Sequence, residues 1–410
     1  MSIISSDLKK ELQLQIEKTF GKPINSVRSF EELSDCSKLS VQTLRRFFGK
    51  INTDKEISQS SLDLLCQYAN FTSWNDFSAS YSVSSTLTDE EKIQIESMEI
   101  FFRNGKKHNL NYDQNSMIVD TLNEYSLLVF KSPERFQYAH SLYGNNNWAA
   151  DYFIGELPNY NYFGKNWYRD ALLSQSKKSA KPHIKLACAN LHLFGSFLRN
   201  DPKKDFSLIS VEKKYKKLKK LEHYFPYHEM RYHSLLMIKA HLDDDQIELC
   251  RILNRYLEDV EKRELQTFQK LEMKIVIANT LLWLCEFEKA YELLQTCTTF
   301  FSEKKSTNIK ISSHLMGINL VFVKSTFNLA WLANGNYKTA EFAITKEEIH
   351  SSNMLLYRDF ITPFVSLSTL LQTKNKKEKK SIHNEILQTI DKTEYKRFHN
   401  ILEKLAPEFC

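Results

Sequence analysis

An all-α chain is what this sequence predicts: a small N-terminal domain (1–80), a linker (81–90) and a long helical body (91–410). Three observations carry that expectation. Only nine of 410 residues are Gly and eight are Pro, about 2% each against the usual ~7% and ~5%, so the chain has little punctuation for turns and sheets. Apolar residues recur at three- and four-residue steps through nearly all of it, the mark of helices with one buried face. One stretch near the N-terminus, 29–50, carries two helix-start signals in quick succession.

That stretch reads SFEELSDCSKLSVQTLRRFFGK. Ser29, with Glu32 three residues on, has the capping-box pattern. Phe30 and Leu33 would face inward from a short helix ending near Cys36. Ser37-Lys38-Leu39-Ser40 reads as a tight turn, with Ser40 capping a second helix from Val41 to Phe48 and Gly49 ending it. Leu44, Phe47 and Phe48 share the inner face, which leaves Gln42, Thr43, Arg45 and Arg46 outside. Two short helices with such a turn form a helix-turn-helix, whose second helix enters the major groove. Double-stranded DNA is the expected partner, contacted by Lys38, Ser40, Gln42, Thr43, Arg45, Arg46 and Lys50. Arg grips guanine edges or phosphates in a bidentate way, Gln pairs with adenine, and Thr meets backbone phosphate. The competing reading is a solvated face with Arg45 or Arg46 paired to Glu31 or Glu32.

At these positions the chain resembles the phage-repressor (Cro/CI-like) helix-turn-helix family. The resemblance rests on small Ser34 in the first helix, Leu39 in the turn, Leu44 and Phe47 in the second helix, Gly49, and SLDLLCQYANF as a supporting helix. The family usually has Gly in the turn, where Lys38 stands here. A residue with a side chain costs about 1–2 kcal/mol in the left-handed region. Either the turn has another shape, or an exposed Lys is tolerated in it. Ten basic and ten acidic residues balance over 1–80, yet 38–55 holds five positive charges against Asp54 alone. The local stripe is what phosphates meet.

Around the motif, 6–20 reads as an amphipathic helix closed by Gly21, and 52–60 as a polar loop. Ser60 or Ser61 starts another helix, and Trp74 and Phe77 anchor a further turn. The Ser/Thr-rich 81–88 reads as a hinge, after which Thr88 and Glu91 form a second capping box. Further helices are expected over 91–102, 116–130, 133–142, 184–198, 211–225, 235–242, 246–260, 265–285, 289–301, 311–333, 339–349, 355–372, 381–390 and 395–405. The Gly/Asn/Tyr-rich 143–168 is irregular, a functional loop or a packed connection.

Two segments repeat. An apolar helix followed by Cys285-Glu286-Phe287-Glu288-Lys289-Ala290 is echoed by another followed by Gly335-Asn336-Tyr337-Lys338-Thr339-Ala340, each with an aromatic three residues before a small Ala. This resembles the turn of a tetratricopeptide repeat (TPR). A weaker third copy ends at Cys250, so the spacings are 40 and 50 rather than 34. The TPR-like array is the favoured expectation, with an irregular helical bundle as its alternative.

The other motifs read blandly. His228 and His233 stand five apart, one too many for the zinc-protease pattern H-E-x-x-H. Cys188 and His192 are two ligand types without partners. Six lysines over 213–220 interleave with Tyr215, Leu218 and Leu221, a solvated face first and a nucleic-acid contact second. The run 374–380, KNKKEKK, reads as an exposed loop. Seven Cys without C-x-x-C argue against a disulfide framework or zinc finger. No phosphate-binding glycine loop, nucleophile elbow or acid/base pair is apparent, so neither an enzyme nor a cofactor is expected. No apolar run is long enough for a membrane, and a cytoplasmic setting is expected.

A helix-turn-helix head on a TPR-like body is similar in layout to the peptide-sensing transcription regulators of Gram-positive bacteria. That resemblance implies a homodimer, held by the body, whose DNA binding responds to a peptide or protein effector. A non-enzymatic interaction scaffold, or a component of a phage-defence or toxin system with a structural helix-turn-helix, stands as the alternative.

Overall fold

The computed structural model describes residues 6–51, 57–71, 73–74, 77–78, 87–107, 125–143, 147–202, 206–218, 227–264, 267–303, 313–336, 338–340, 343–344, 346–349 and 356–409. The chain is all-α, with no strand among the described residues. No helix among them is long and apolar enough to cross a membrane. Two compact units form. The first comprises Met1–Leu110 with Glu124–Asn146, and the second Asn111–Asn123 with Asn147–Cys410.

In the first unit, α1 (Ser6–Phe20) runs to Gly21, which takes φ +80° and donates its N–H to the Glu17 carbonyl. Helices α2 (Val27–Ser37), α3 (Val41–Phe47) and α4 (Gln59–Tyr68) follow. Ser58, rather than Ser60 or Ser61, caps α4, accepting from the Ser61 N–H. Leu12, Ile16, Phe30, Leu33, Leu44, Phe47, Leu62 and Leu65 close one core, with Trp74 and Phe77 in it as their sequence suggested. Helix α5 (Asp89–Lys107) opens on the expected box: Thr88 Oγ1 accepts from the Glu91 N–H, and a Glu91 carboxylate oxygen accepts from the Thr88 N–H. It packs on α6 (Pro133–Tyr143), and Arg135 reaches Glu91 at 2.7 Å. Residues 81–86 of the expected hinge and 116–124 of an expected helix lie outside the described residues.

In the second unit, residues 147–168 of the irregular interval are a packed connection. After α7 (Asn147–Ala150) come a π-helical turn, Asp151–Glu156, and a 3-10 turn, Tyr160–Tyr162. Tyr160, Phe163 and Tyr168 are buried. A Cβ on Gly164 would stand 2.1 Å from the Thr393 carbonyl oxygen, and one on Gly195 2.2 Å from that of Phe163, so backbones meet here without side chains between them. Helix α8 (Asn166–Lys178) was absent from the sequence reading. The chain continues through α9 (Pro182–Leu198), α10 (Ile209–Leu218), α11 (Tyr227–Leu242), α12 (Gln246–Lys262), α13 (Thr267–Trp283), α14 (Phe287–Glu303) and α15 (Ser313–Ala333). It ends with α16 (Lys346–Ile349), α17 (Arg358–Gln372), α18 (Lys376–Thr393) and α19 (Phe398–Leu405). Helices α9, α11, α13, α15 and α17 pack successively on one another, while α10, α12, α14 and α18 each pair with a member of that row. Much of the row is buried, though not all of it is apolar: α11 buries Glu229 and Arg231. In α9 every residue from Leu186 to Leu198 except His192 is buried. The paired helices are amphipathic; α12 buries only Leu249, Leu253, Tyr256 and Val260.

Hairpins close in one recurring way. Asn200, Asp244 and Cys285 stand just past their helices with φ of 59°, 58° and 61°. The following amide reaches five residues back: Asp201 to Ser196 O (3.0 Å), Asp245 to Ala240 O (2.9 Å) and Glu286 to Leu281 O (2.9 Å). This is the Schellman ending. Counted from the left-handed residue, Leu249 rather than Cys250 matches Ala290: both are fully buried, whereas Cys250 is half-buried. The copy ending at Ala340 departs. Gly335 takes φ +84°, but among the described residues of 339–349 the helical ones are Lys346–Ile349, and Tyr337 lies outside the described residues. The Ala340 amide instead donates to the Asn328 side chain at 2.9 Å, which takes it out of a helical ladder. The expected loop 374–380 is helical from Lys376, because Asn375 Oδ1 accepts from the Lys377 and Glu378 amides.

Ala290 has no exposed surface in the first turn of α14, against α13. Ala290→Leu overpacks that crossing and lowers stability by about 1–3 kcal/mol, read as a fall in Tm by calorimetry. A melt like that of the native chain would place the side chain outside the crossing.

Candidate nucleic-acid interface

Helix α2 starts earlier than its sequence suggests, and the cap is Ser26, not Ser29. Ser26 Oγ accepts from the Ser29 N–H at 3.2 Å, and Ser29 Oγ accepts from the Ser26 N–H at 3.0 Å. Glu32 is taken elsewhere: its oxygens hold Lys22 at 2.7 Å and Arg28 at 3.1 Å. Those partners, the Lys22 hydrogen bond foremost, hold its carboxyl below the usual carboxylate range.

Lys38 settles the shape of the turn. It takes φ 59° and ψ 23°, and its N–H donates to Ser34 O at 3.0 Å, so the turn is left-handed with an exposed Lys in the glycine place. Ser34 Oγ donates to the Leu39 carbonyl at 2.6 Å and ties the turn back to α2. Leu39 is buried and Ser40 is extended, as a cap must be. Ser40 Oγ accepts from the Thr43 N–H at 3.2 Å and lies 2.9 Å from Thr43 Oγ1.

Leu44 and Phe47 are fully buried, and Phe48 is half-buried, edge-on to Phe30 and Phe47. Helix α3 ends at Phe47. Gly49 at φ +69° and a Lys50 N–H donating to Arg45 O at 2.8 Å give the same Schellman ending as in the second unit. Gln13 donates its amide to Phe47 O at 2.6 Å and fixes the far end of α3 against α1. Sequence reasoning missed Ser26 and Gln13, because Ser-x-x-Ser lacks the acidic half of a box and a polar residue between core positions carries no signal.

The remaining residues share the outer side of the unit. Lys38, Ser40, Gln42 and Lys50 are exposed, and Thr43, Arg45 and Arg46 are half-buried. Arg46 Nε is enclosed and has no hydrogen-bond partner. Among the described residues no carboxylate pairs with Arg45 or Arg46, and the anticipated partner Glu32 is occupied by Lys22 and Arg28. The arrangement therefore offers guanidinium, amide, hydroxyl and ammonium donors on one short helix and the turns flanking it, the chemistry that phosphates and base edges accept.

The other sequence motifs resolve structurally. His233 Nε2 lies 3.8 Å from Glu229, which Arg263 grips at 2.6 Å and Tyr215 also bonds. Burial works to raise the Glu229 carboxyl, but the hydrogen bonds from His233, Arg263 and Tyr215 outweigh it and hold it far below the usual range. His192 Nδ1 lies 3.1 Å from the Arg169 carbonyl, and Cys188 is buried beside Gly155. Comparison with protein-family models, curated proteins and solved structures finds no match for this chain.

The left-handed Lys38 carries strain that a glycine would not. Lys38→Gly is expected to stabilise the first unit by about 1 kcal/mol, the lower part of the left-handed penalty, because glycine also loses more entropy on folding. Chemical denaturation monitored by Trp74 fluorescence measures it, and a destabilised variant would contradict the turn geometry.

Proposed function

We propose that the chain is a sequence-specific regulator of transcription that binds double-stranded DNA through α3. The observation that carries this reading is the outer side of α3 and its turns, where Gln42, Arg45 and Arg46 stand without acidic partners among the described residues. Arg45, Arg46 and Gln42 read base edges, while Lys38, Ser40, Thr43 and Lys50 meet phosphates. The second unit is a TPR-like array of helix hairpins that holds a homodimer and takes a peptide or protein effector. Two heads in a two-fold dimer read half-sites about 34–36 Å apart. An effector changes DNA binding only by preferring one arrangement of the body.

The direct test is anisotropy of labelled duplexes with the full chain. Affinity should fall steeply with salt, and Arg45→Ala should cost about 1–3 kcal/mol and relax sequence preference at one position. Binding indifferent to salt, or an Arg45→Ala protein with unchanged affinity and selectivity, would sink this role. Sedimentation of the chain alone and on duplex should give a dimer in both cases; a monomer in both would remove the dimer from the model.

A further inference from the structure

Lysines are unevenly placed in this chain. Four fall in 177–185 and six in 213–220, with no acidic residue in either stretch. These ten exceed the whole net charge of +6, so the rest of the chain is net acidic. Helix α9 packs against both α8 and α10, so Lys177, Lys185, Lys214 and Lys217 lie on three helices that adjoin in the second unit. Lys177 closes α8, Lys185 lies in the first turn of α9, and Lys214 and Lys217 lie on α10.

No carboxylate among the described residues neutralises them. Lys177 and Lys217 are exposed, Lys185 and Lys214 half-buried. Lys214 Nζ donates to the Ser210 hydroxyl at 2.8 Å. Its ammonium is held below the ordinary lysine range by burial and then by repulsion from Lys185, Lys177 and Lys217, which marks the four as electrostatic neighbours. Favourable helix-end electrostatics explains Lys177 and Lys217, which sit in last turns. It does not explain Lys185, since the first turn of a helix disfavours a positive charge.

We propose that Lys177, Lys185, Lys214 and Lys217 form a second, sequence-independent site for the phosphate backbone of duplex nucleic acid, separate from α3. The inference rests on the DNA-binding reading and extends it to the second unit. Lysines act as point charges on phosphates and carry no base information, which suits a clamp rather than a reader. A membrane surface fits less well, because among the described residues Ile209, at the start of α10, is the one large apolar side chain exposed near the lysines, too little to anchor in lipid.

The test uses the full chain, random-sequence and selected duplexes, and two variants: Lys177→Gln/Lys185→Gln/Lys214→Gln/Lys217→Gln, and Arg45→Ala/Arg46→Ala. The lysine variant should lose affinity equally for all duplexes. Its slope of log affinity against log salt should be shallower by about 3–4, near 0.9 per released phosphate contact. Its Tm should hold or rise, since repulsion is relieved; a lower Tm with an unchanged slope would mean a structural role and overturn the proposal. An unchanged slope together with lost selectivity in the arginine variant removes this site and leaves the α3 reading intact. The reverse pattern keeps this site and removes α3. Failure of the native chain to bind any duplex at low salt, or lysine-dependent binding to phosphatidylserine vesicles without duplex binding, overturns it as well.

Discussion

The second unit depends on burying a row of helices, α9 most completely, where every residue from Leu186 to Leu198 except His192 is buried. A helix buried on most of its faces must be flanked by others. The amphipathic α12, α14 and α18 supply that cover and turn their polar residues outward. Trp283 shows how the row is locked. It is fully buried at the end of α13, and its ring meets Phe360 and Phe364 of α17, Tyr395, and Phe398 of α19, at centroid distances of 5.2–6.0 Å. Residues more than a hundred positions apart in the chain are thereby held at one point. Aromatic pairs of this kind add about 0.5–1.5 kcal/mol each beyond their buried area.

The first unit faces the opposite difficulty. Helix α3 has seven residues, too few to persist alone. Its position is imposed from outside, by Leu44 and Phe47 in the core, by the Ser40 cap, by the Ser34 bond to the turn and by the Gln13 bond to its last carbonyl. Any recognition by its outer side chains inherits that rigidity. A helix set by four independent contacts can present Gln42, Arg45 and Arg46 without ordering them at the moment of binding.

Much of this was legible in residues, and the failures have physical causes. Regular apolar spacing announced most helices, and Thr88 with Glu91 announced α5. Helix α8 went unseen because NWYRDALLSQSKK is polar and follows Lys165, which makes no side-chain cap. The 143–168 segment could not be read because π and 3-10 turns lack a helical period. The expected helix over 339–349 fails through a tertiary contact, the Asn328 side chain on the Ala340 amide, which no local pattern reveals. At the candidate interface the inner residues Leu44 and Phe47 were readable from spacing, and so was the Ser40 cap. The Ser26 cap was not, because the neighbouring Ser29–Glu32 pattern was the more familiar one and Glu32 turned out to bind Lys22.

Among the described residues, six with side chains adopt the left-handed conformation, at Lys38, Asn70, Asn200, Asp244, Cys285 and Glu394. In a chain with nine glycines this has a consequence in the denatured state rather than the native one. Glycine widens the unfolded ensemble more than any other residue, and its absence at these turns leaves that ensemble narrower. The strain borne by the folded turns is thus partly offset by a smaller loss of disorder on folding.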